Sequence, residues 1–473
     1  MANLQLSKTQ ISYEPIDASP VKDFFVSMLT RDITLTEAIL DLLDNCIDGI
    51  HRTKGRLSGN KPYMGKKAIL EINNEQFLIH DNCGGIPWNM HEYAFRMGKS
   101  KISDSKKTGM VGVYGIGMKR AIFKIGKNCL ISTQNNSASY EVAITPDWID
   151  DESNWFLKVD KAKKSMKEDG TTILISSFND NISPLFGADI KNFVSDLKKE
   201  ISTHYAFIID KGFVIEINKE IVEPKPTQLV FSRKGNRNNI SPFIYQTKNN
   251  DVNIFVTVGF TRPLPSTDEI EAEQKERQRS TLDAGWTVVC NDRVVLYCDR
   301  TIITGWGEAG VPNFHNQFIP ISGIVEFHGP PEKLPTTTTK RGIEASSILY
   351  LQVKNKMREG MRLFIDYTNK WKDDLQTSKN HIKTGDLLTL ENIKERANSL
   401  NFNAVRSGLL GKQFKPNLPM PINVNQKKKS IAFYRDVKEI KLVSEYLFAR
   451  EDISTSKVGE GCFDKILKEA REQ

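Results

Sequence analysis

The sequence predicts an α+β protein in which amphipathic helices alternate with short strands. Residues 34–50 carry apolar side chains at spacings of three and four, which is typical of a helix with one buried face. Residues 68–72 and 76–80 are apolar runs of strand length separated by an Asn-Asn turn, which predicts a hairpin. The longest helical pattern, residues 346–370, follows a second group of predicted strands. This order of elements indicates more than one α/β unit.

Length and composition describe a globular chain with more than one domain. It has 473 residues, 39% hydrophobic and 26% charged, enough for roughly two to four domains. It has no apolar run of about 18 residues and no secretory signal in residues 1–15, so we expect a cytoplasmic protein without membrane spans. Six scattered cysteines without a CxxC pair argue against a zinc site or a disulfide scaffold. A formal charge of +8 does not by itself indicate nucleic-acid binding.

The first helix carries a polar stripe beside its apolar one. Asp41, Asn45 and Asp48 recur at i, i+4 and i+7, so they share a face. Such groups are costly to bury unpaired, so this face points to water, a partner or a ligand. Its oxygen atoms suit Mg²⁺ bound together with phosphates, and a solvated helix face is the simpler alternative. The helix starts with Thr34-Leu-Thr-Glu37, a capping box that gives Glu37 a structural role.

Three glycine-containing segments follow this helix. They are Asp81-Asn-Cys-Gly84-Gly85-Ile86, Gly112-Val-Tyr-Gly115-Ile-Gly117-Met-Lys119 and Gly170-Thr171-Thr172. Glycines let backbone N–H groups approach a phosphate closely, and a helix N-terminus adds a favourable dipole. Residues 96–111 are rich in Gly, Ser and Lys and have little apolar content, which predicts a mobile segment. A dinucleotide-binding βαβ unit fits less well, because the second segment follows a lysine-rich loop rather than a strand.

The character of the chain changes near residue 185. A helical pattern covers residues 190–205, and residues 207–218 predict a strand, a turn and a second strand. Residues 286–297 predict another hairpin. In the last part of the chain we expect mainly helices, the first of them at residues 387–400.

The helix and the three glycine segments together resemble the GHKL ATPase superfamily of gyrase, heat-shock chaperone, histidine kinase and MutL. The D-LLDN-CID-G sequence of the helix corresponds to E-xxx-N-xx-D-A in the MutL-like and MORC-like branches. The resemblance implies a Bergerat-type two-layer α/β sandwich that binds ATP, a transducer-like (ribosomal S5-like) α/β domain and a mainly helical C-terminal region. The implied domains are an N-terminal arm at 1–18, the ATP-binding domain at 19–184, the transducer-like domain at 185–374 and the C-terminal region at 375–473.

The same resemblance implies roles for individual residues in hydrolysis. Asp41 takes the position of the catalytic base, where the family normally has Glu, and Glu37 is the weaker alternative. Asn45 would hold Mg²⁺ on the triphosphate. Lys340, in a turn-rich loop before the long helix, would contact the γ-phosphate as a point charge, with Arg341 as its substitute.

Further residues are implied to bind the nucleotide. Asp81 would accept a hydrogen bond from the adenine amino group. Cys83 stands where the family pattern D-x-G-x-G has Gly, so the resemblance does not predict the local backbone path here. The other implied contacts are Asp48, Gly85, Ile86, Ser100, Gly112, Val113, Gly115, Ile116, Gly117, Met118, Lys119 and Thr171.

The favoured function is a slow, Mg²⁺-dependent ATPase that acts as a switch. By resemblance it closes into a homodimer on binding ATP and acts on a DNA or protein partner. A protein kinase of the histidine-kinase branch is one alternative, but it needs a phosphoacceptor His before the ATP domain, and no His precedes residue 51. A non-hydrolysing, nucleotide-gated binding module is another, which the Asp at position 41 keeps open.

Overall fold

The computed structural model describes residues 21–54, 59–96, 111, 115–225, 227–233, 240–275, 284–337, 339–421 and 431–472. These residues form two large sheets with helices packed against them. The expected arm at 1–18, most of segment 96–111, and the residues Ser100, Gly112 and Val113 lie outside the described residues. None of the described helices is both long and apolar enough to cross a membrane.

The first sheet has eight strands. In chain order they are β1 Lys67–Ile72, β2 Phe77–Asp81, β3 Gly126–Gln134, β4 Ser139–Ile144, β5 Val159–Lys161, β6 Gly170–Phe178, β7 Val214–Ile217 and β8 Glu220–Ile221. Their spatial order is β5-β4-β3-β6-β2-β1-β7-β8. Only β1 and β7 pair in parallel among these neighbours. Buried residues alternate along β1 and β2, as expected for strands with one face on a core.

Helices pack against the first sheet, and the second of them carries Asp41, Asn45 and Asp48. The helices are α1 Lys22–Arg31, α2 Leu35–Lys54, α3 His91–Phe95, α4 Gly117–Ile125, α5 Pro146–Asp150, α6 Ser183–Phe186, α7 Ile190–His204 and α8 Ala206–Asp210. The predicted capping box is present at the start of α2, since Thr34 N donates to Glu37 Oε2 at 2.7 Å and Glu37 N donates to Thr34 Oγ1 at 3.2 Å. Within residues 38–50 every residue except Asn45 is buried.

The second sheet has seven strands and a long helix. The strands from residue 229 onwards are β9 Leu229–Ser232, β10 Phe243–Asn249, β11 Val252–Phe260, β12 Gly285–Cys290, β13 Arg293–Asp299, β14 Ile321–His328, β15 Gly385–Leu388, β16 Asn403–Val405 and β17 Gly411–Phe414. The sheet order is β13-β12-β14-β11-β10-β17-β16, and β15 pairs with β9 separately. The helices here are α9 Thr267–Lys275, α10 Ile348–Trp371, α11 Leu375–Lys383, α12 Leu390–Ala397, α13 Val437–Phe448 and α14 Thr455–Glu472.

The first core extends beyond the expected boundary after residue 184. Strand β7 pairs with β1, and the same apolar core contains Leu197, Tyr205 and Val222. The expected strand at the start of 207–218 is also wrong, because its first part is helix α8. A short apolar run does not distinguish a buried strand from a buried helix by periodicity, and here the chain simply turns from α7 into α8.

The C-terminal region is less helical than expected. The expected helix at 387–400 begins later, at Leu390, because residues 387 and 388 belong to strand β15. Strands β16 and β17 complete one edge of the second sheet through the pairing of β17 with β10. Strands as short as β16 and β17 carry too few residues for a clear alternation of apolar and polar side chains, so the sequence pattern does not reveal them.

A buried polar junction joins the two cores at the β12–β13 hairpin. Its turn residues, Asn291 and Asp292, have φ values of 47° and 66°, as in the tight hairpin turns that suit the strand twist. Asp292 accepts a hydrogen bond from Tyr63 at 2.7 Å and pairs with Lys211 at 2.6 Å. Burial alone raises the pKa of Asp292, but Lys211 outweighs this and holds it below its usual value. The hairpin is therefore anchored to the first core by an ionised side chain.

Replacing this carboxylate tests the junction. Asp292→Asn should lower the free energy of unfolding by about 3 kcal/mol, near the low end for removing one partner of a buried ion pair. The low end applies because Lys211 keeps Glu391 at 3.1 Å. The exposed pair of Asp251 with Lys333 supplies the control, and Asp251→Asn should leave urea unfolding unchanged. Equal effects of the two changes would contradict a buried junction.

Candidate functional site

The polar stripe of α2 is largely buried and faces charged partners. Asp41, Asp44 and Asp48 are 5%, 1% and 7% exposed, whereas Asn45 is exposed. Three carboxylates can be buried on one helix only if cations or hydrogen-bond donors compensate them. The arrangement is therefore not a solvated helix face.

The structure brings Asp41 and Lys340 together. Lys340 Nζ lies 3.6 Å from Asp41 Oδ1 and 2.7 Å from Asp44 Oδ2. Arg120 of α4 pairs with the other oxygen of Asp41, through Nε at 3.1 Å and through a closer contact of Nη2. The alternative cation, Arg341, instead pairs with Glu200 and lies 3.7 Å from Glu37.

A tight loop carries Lys340 to α2. Residues Thr336 and Ile343 form an isolated antiparallel bridge, and Lys340 N donates to Thr337 O at 3.0 Å within the turn. Lys340 has a φ of 57°, in the left-handed region. That conformation costs a residue with a side chain roughly 1–2 kcal/mol, and such strain is typical of functional sites. The ion pairs with α2 offset this cost.

Asp44 belongs to this site although no sequence motif marked it. It lies between two cations, because Arg293 Nε is 3.1 Å from its Oδ1 while Lys340 is bonded to its Oδ2. Tyr205 donates a further hydrogen bond to Oδ1 at 2.6 Å. Burial alone raises the pKa of Asp44, but Lys340 and Arg293 outweigh it and lower that pKa. Burial lowers the pKa of Lys340, and Asp44 with Asp41 raises it above its usual value.

Asp81 ends β2 in a closely packed turn. Its carboxylate accepts a hydrogen bond from Cys83 N at 2.7 Å, and Cys46 Sγ lies 3.7 Å away. Burial raises the pKa of Asp81, and the backbone N–H groups of Cys83 and Thr171 partly offset this. A Cβ on Gly170 would lie 1.8 Å from Asp81 O, so this position next to Thr171 requires glycine.

The turn after Asp81 packs closely against the ends of β3 and β6. Gly85 has a φ of 64°, and a Cβ there would lie 2.0 Å from Gln134 O. Ile86 N donates to Thr133 Oγ1 at 2.8 Å, and Thr133 Oγ1 lies 3.1 Å from Thr171 Oγ1. Thr171 is thus tied to the turn through a second threonine that the sequence did not reveal.

The N-terminus of α4 lies against Asp41. Gly117 is the first residue of the helix and Ile116 its N-cap, and a Cβ on Gly117 would lie 3.3 Å from Asp41 Cγ. Gly115 has a φ of 67°. The helix dipole and free N–H groups of such a terminus favour an anion, so Asp41 already lies at a position suited to negative charge.

The remaining predicted residues line the same region. Asp48 Oδ1 accepts a hydrogen bond from Val111 N at 2.6 Å, so it holds the end of segment 96–111. Met118 is buried. Lys119 is also buried and donates to Ala94 O at 2.8 Å and to Gly115 O, and burial lowers its pKa to about 8. The ammonium of Lys119 therefore holds the loop before α4 in this structure.

Comparison with known protein families finds a similarity for part of the chain. Residues 33–172 match the family model of histidine kinase-, DNA gyrase B-, and HSP90-like ATPases. This match supports the GHKL superfamily and suggests ATP binding and ATPase activity. Comparison of the chain with curated proteins found no match. The second sheet and Lys340 lie outside the matched residues.

A glycine on α2 tests how closely the turn at Asp81 packs. A Cβ on Gly49 would lie 2.8 Å from the backbone oxygen of Cys83. Gly49→Ala should therefore lower the free energy of unfolding by about 1–3 kcal/mol, as overpacking does, although alanine normally favours a helix. Gly459 of α14 is the matched control, because a Cβ there would have nothing within 4 Å and alanine should not destabilise. Urea unfolding that is unaffected by Gly49→Ala would contradict this packing.

Proposed function

We propose that the protein is an Mg²⁺-dependent, GHKL-type ATPase that works as a nucleotide-controlled switch. The observation that carries the proposal is the contact of Lys340 with Asp41 and Asp44. It links a loop of the second sheet to the helix that holds the first of the family's motifs. A chance ion pair between a distant loop and this helix would not need a strained backbone at Lys340.

Each residue in the proposed reaction has a simple task. Asp41 accepts a proton from the attacking water, as a general base within reach of the phosphate end of the site. The N–H groups at the start of α4, beside Gly117, bind the phosphates. Lys340 neutralises the charge that develops on the transferred γ-phosphoryl group. Asp81 accepts a hydrogen bond from the adenine amino group.

Asn45 fits the role of the magnesium ligand. No group of three or more His, Cys, Asp or Glu residues that could hold a metal occurs in the described part of the chain. Mg²⁺ on a nucleotide takes most of its ligands from phosphates and water, so one protein oxygen is sufficient. The side chain of Asn45 is exposed, while cations occupy Asp41 and Asp44. When bound, Mg²⁺ would neutralise charge on the phosphates.

A non-hydrolysing binding module is the second candidate. Asp41 is one methylene shorter than the Glu of the family pattern, and it is paired with both Arg120 and Lys340. A carboxylate held in this way has less freedom to reach a water molecule. In this second candidate function, the bound nucleotide determines the conformation of the protein but is not hydrolysed.

Turnover measurements separate these candidates. Asp41→Asn should reduce Mg²⁺-dependent ATP hydrolysis by about 10²–10⁴-fold, the range for loss of a general base. Asn45→Ala should abolish turnover by removing the magnesium ligand. Glu37→Gln is the control and should retain turnover, because the Glu37 carboxylate is held by the backbone N–H and hydroxyl of Thr34 in the capping box. The opposite pattern, with loss in Glu37→Gln and activity in Asp41→Asn, would refute the assignment.

The proposal includes an ATP-gated homodimer that acts on a DNA or protein partner, as in the MutL-like and MORC-like relatives that the motifs resemble. Addition of a non-hydrolysable ATP analogue with Mg²⁺ should double the mass measured by light scattering, whereas ADP should leave it at the monomer value. Asn45→Ala should remain monomeric with the analogue. An unchanged mass with bound analogue would contradict the gated dimer.

A further inference from the structure

Asp44 is shared by two cations that reach it from different parts of the second sheet. Lys340 Nζ occupies one carboxylate oxygen at 2.7 Å, and Arg293 Nε lies 3.1 Å from the other. Both cations are buried, with exposures of 9% and 2%. The carboxylate therefore has two partners where one would satisfy its charge.

Arg293 is held firmly. Its Nη1 donates to His204 O at 3.2 Å and to Val294 O at 3.0 Å, and its guanidinium carbon lies 4.4 Å from the centre of the Tyr205 ring. The preceding residue, Asp292, anchors the same hairpin to the first core. Arg293 is therefore a fixed partner of Asp44.

Lys340 is held differently. It lies in a loop, on a four-carbon side chain, and a small cleft lined by Val111, Leu334 and Thr336 borders both Lys340 and Arg293. Its ammonium has two carboxylate neighbours at different distances, Asp44 at 2.7 Å and Asp41 at 3.6 Å. Lys340 thus has a second carboxylate to which it can shift, whereas Arg293 is fixed by two carbonyl oxygens and the Tyr205 ring besides Asp44.

We propose that Arg293 is the positioning residue that lets Lys340 leave Asp44 for the γ-phosphate, because it remains as the counter-ion of Asp44 after Lys340 has moved. This inference rests on the proposed function, since it assumes that Lys340 contacts a nucleotide. Removing one partner of a buried ion pair normally leaves an uncompensated charge, which is strongly unfavourable. With Arg293 in place, Asp44 never becomes unpaired, so the transfer of Lys340 costs little. Without Arg293, Asp44 would hold Lys340 and oppose its contact with phosphate.

The ratio of two affinities tests this role. A non-hydrolysable ATP analogue and ADP differ at the γ-phosphate, so the contact of Lys340 appears as tighter binding of the analogue. Arg293→Gln should weaken binding of the analogue by about ten- to a hundredfold, the range for one hydrogen bond between charged groups, and should leave ADP binding within about twofold. Titration calorimetry with Mg²⁺ measures both. Arg358→Gln is the matched control, because Arg358 of α10 pairs with Glu308 in a partly exposed ion pair and should affect neither affinity.

A double variant distinguishes an effect on the release of Lys340 from a general loss of structure. In Asp44→Asn with Arg293→Gln, the Asp44 charge that holds Lys340 is gone, so the preference for the analogue should return to that of the wild type. If Arg293→Gln alone does not fold, as judged by circular dichroism, the double variant decides, because it leaves no unpaired charge and should keep the preference. Loss of the preference in the double variant would overturn the proposal, as would an unchanged preference in Arg293→Gln.

The binding measurements also distinguish failure of the proposed function from failure of the role of Arg293. If the wild type binds neither nucleotide, both the function and this inference are wrong. If the wild type prefers the analogue and Lys340→Ala abolishes the preference, the function stands. An equal loss of analogue and ADP binding in a folded Arg293→Gln variant would then overturn only the role of Arg293.

Discussion

The buried carboxylate of Asp44 forms the ion pairs on which the position of the Lys340 loop against α2 depends. It pairs with a lysine from the loop before α10 and an arginine from β13, and it accepts a hydrogen bond from a tyrosine hydroxyl of the first core. Because a buried ion pair has strong geometric demands and little tolerance for a missing partner, these contacts define how the loop of Lys340 lies on α2. The neighbouring junction at Asp292 anchors the same hairpin. These ion pairs therefore add to the apolar contacts that Ala206 and Phe207 of α8 make with the second sheet.

Close backbone packing shapes the other end of the site. Gly49, Gly85 and Gly170 each have a backbone oxygen within 2.8 Å of the place where a Cβ would lie. These contacts press α2 and the ends of β2, β3 and β6 together around Asp81. The Cys83 departure from the family pattern is accommodated because its side chain is buried and its N–H bonds to Asp81. The turn thus keeps a carboxylate at the end of β2 without the glycine of the family pattern.

Much of the first unit could be predicted from the sequence, because its signals are local. The capping box at Thr34, the hairpin that ends at Asp81 and the start of α4 at Gly117 follow from short motifs. The contact of Asp44 with Arg293 could not be predicted, since it joins residues 249 positions apart. The extension of the first sheet by β7 depends likewise on a long-range parallel pairing with β1. Hydrophobic periodicity indicates which face of a helix or strand is buried, but it does not indicate which other element packs against that face.

A crystal structure with Mg²⁺ and a non-hydrolysable ATP analogue tests the central claim most directly. The claim is that Lys340 and the α2 residues form one triphosphate site. The account predicts Lys340 Nζ within about 3 Å of a γ-phosphate oxygen, the adenine amino group on Asp81, and Asp44 still paired with Arg293. A nucleotide bound with Lys340 still on Asp44 and away from the phosphates would contradict the account, as would a nucleotide that lies away from Asp81.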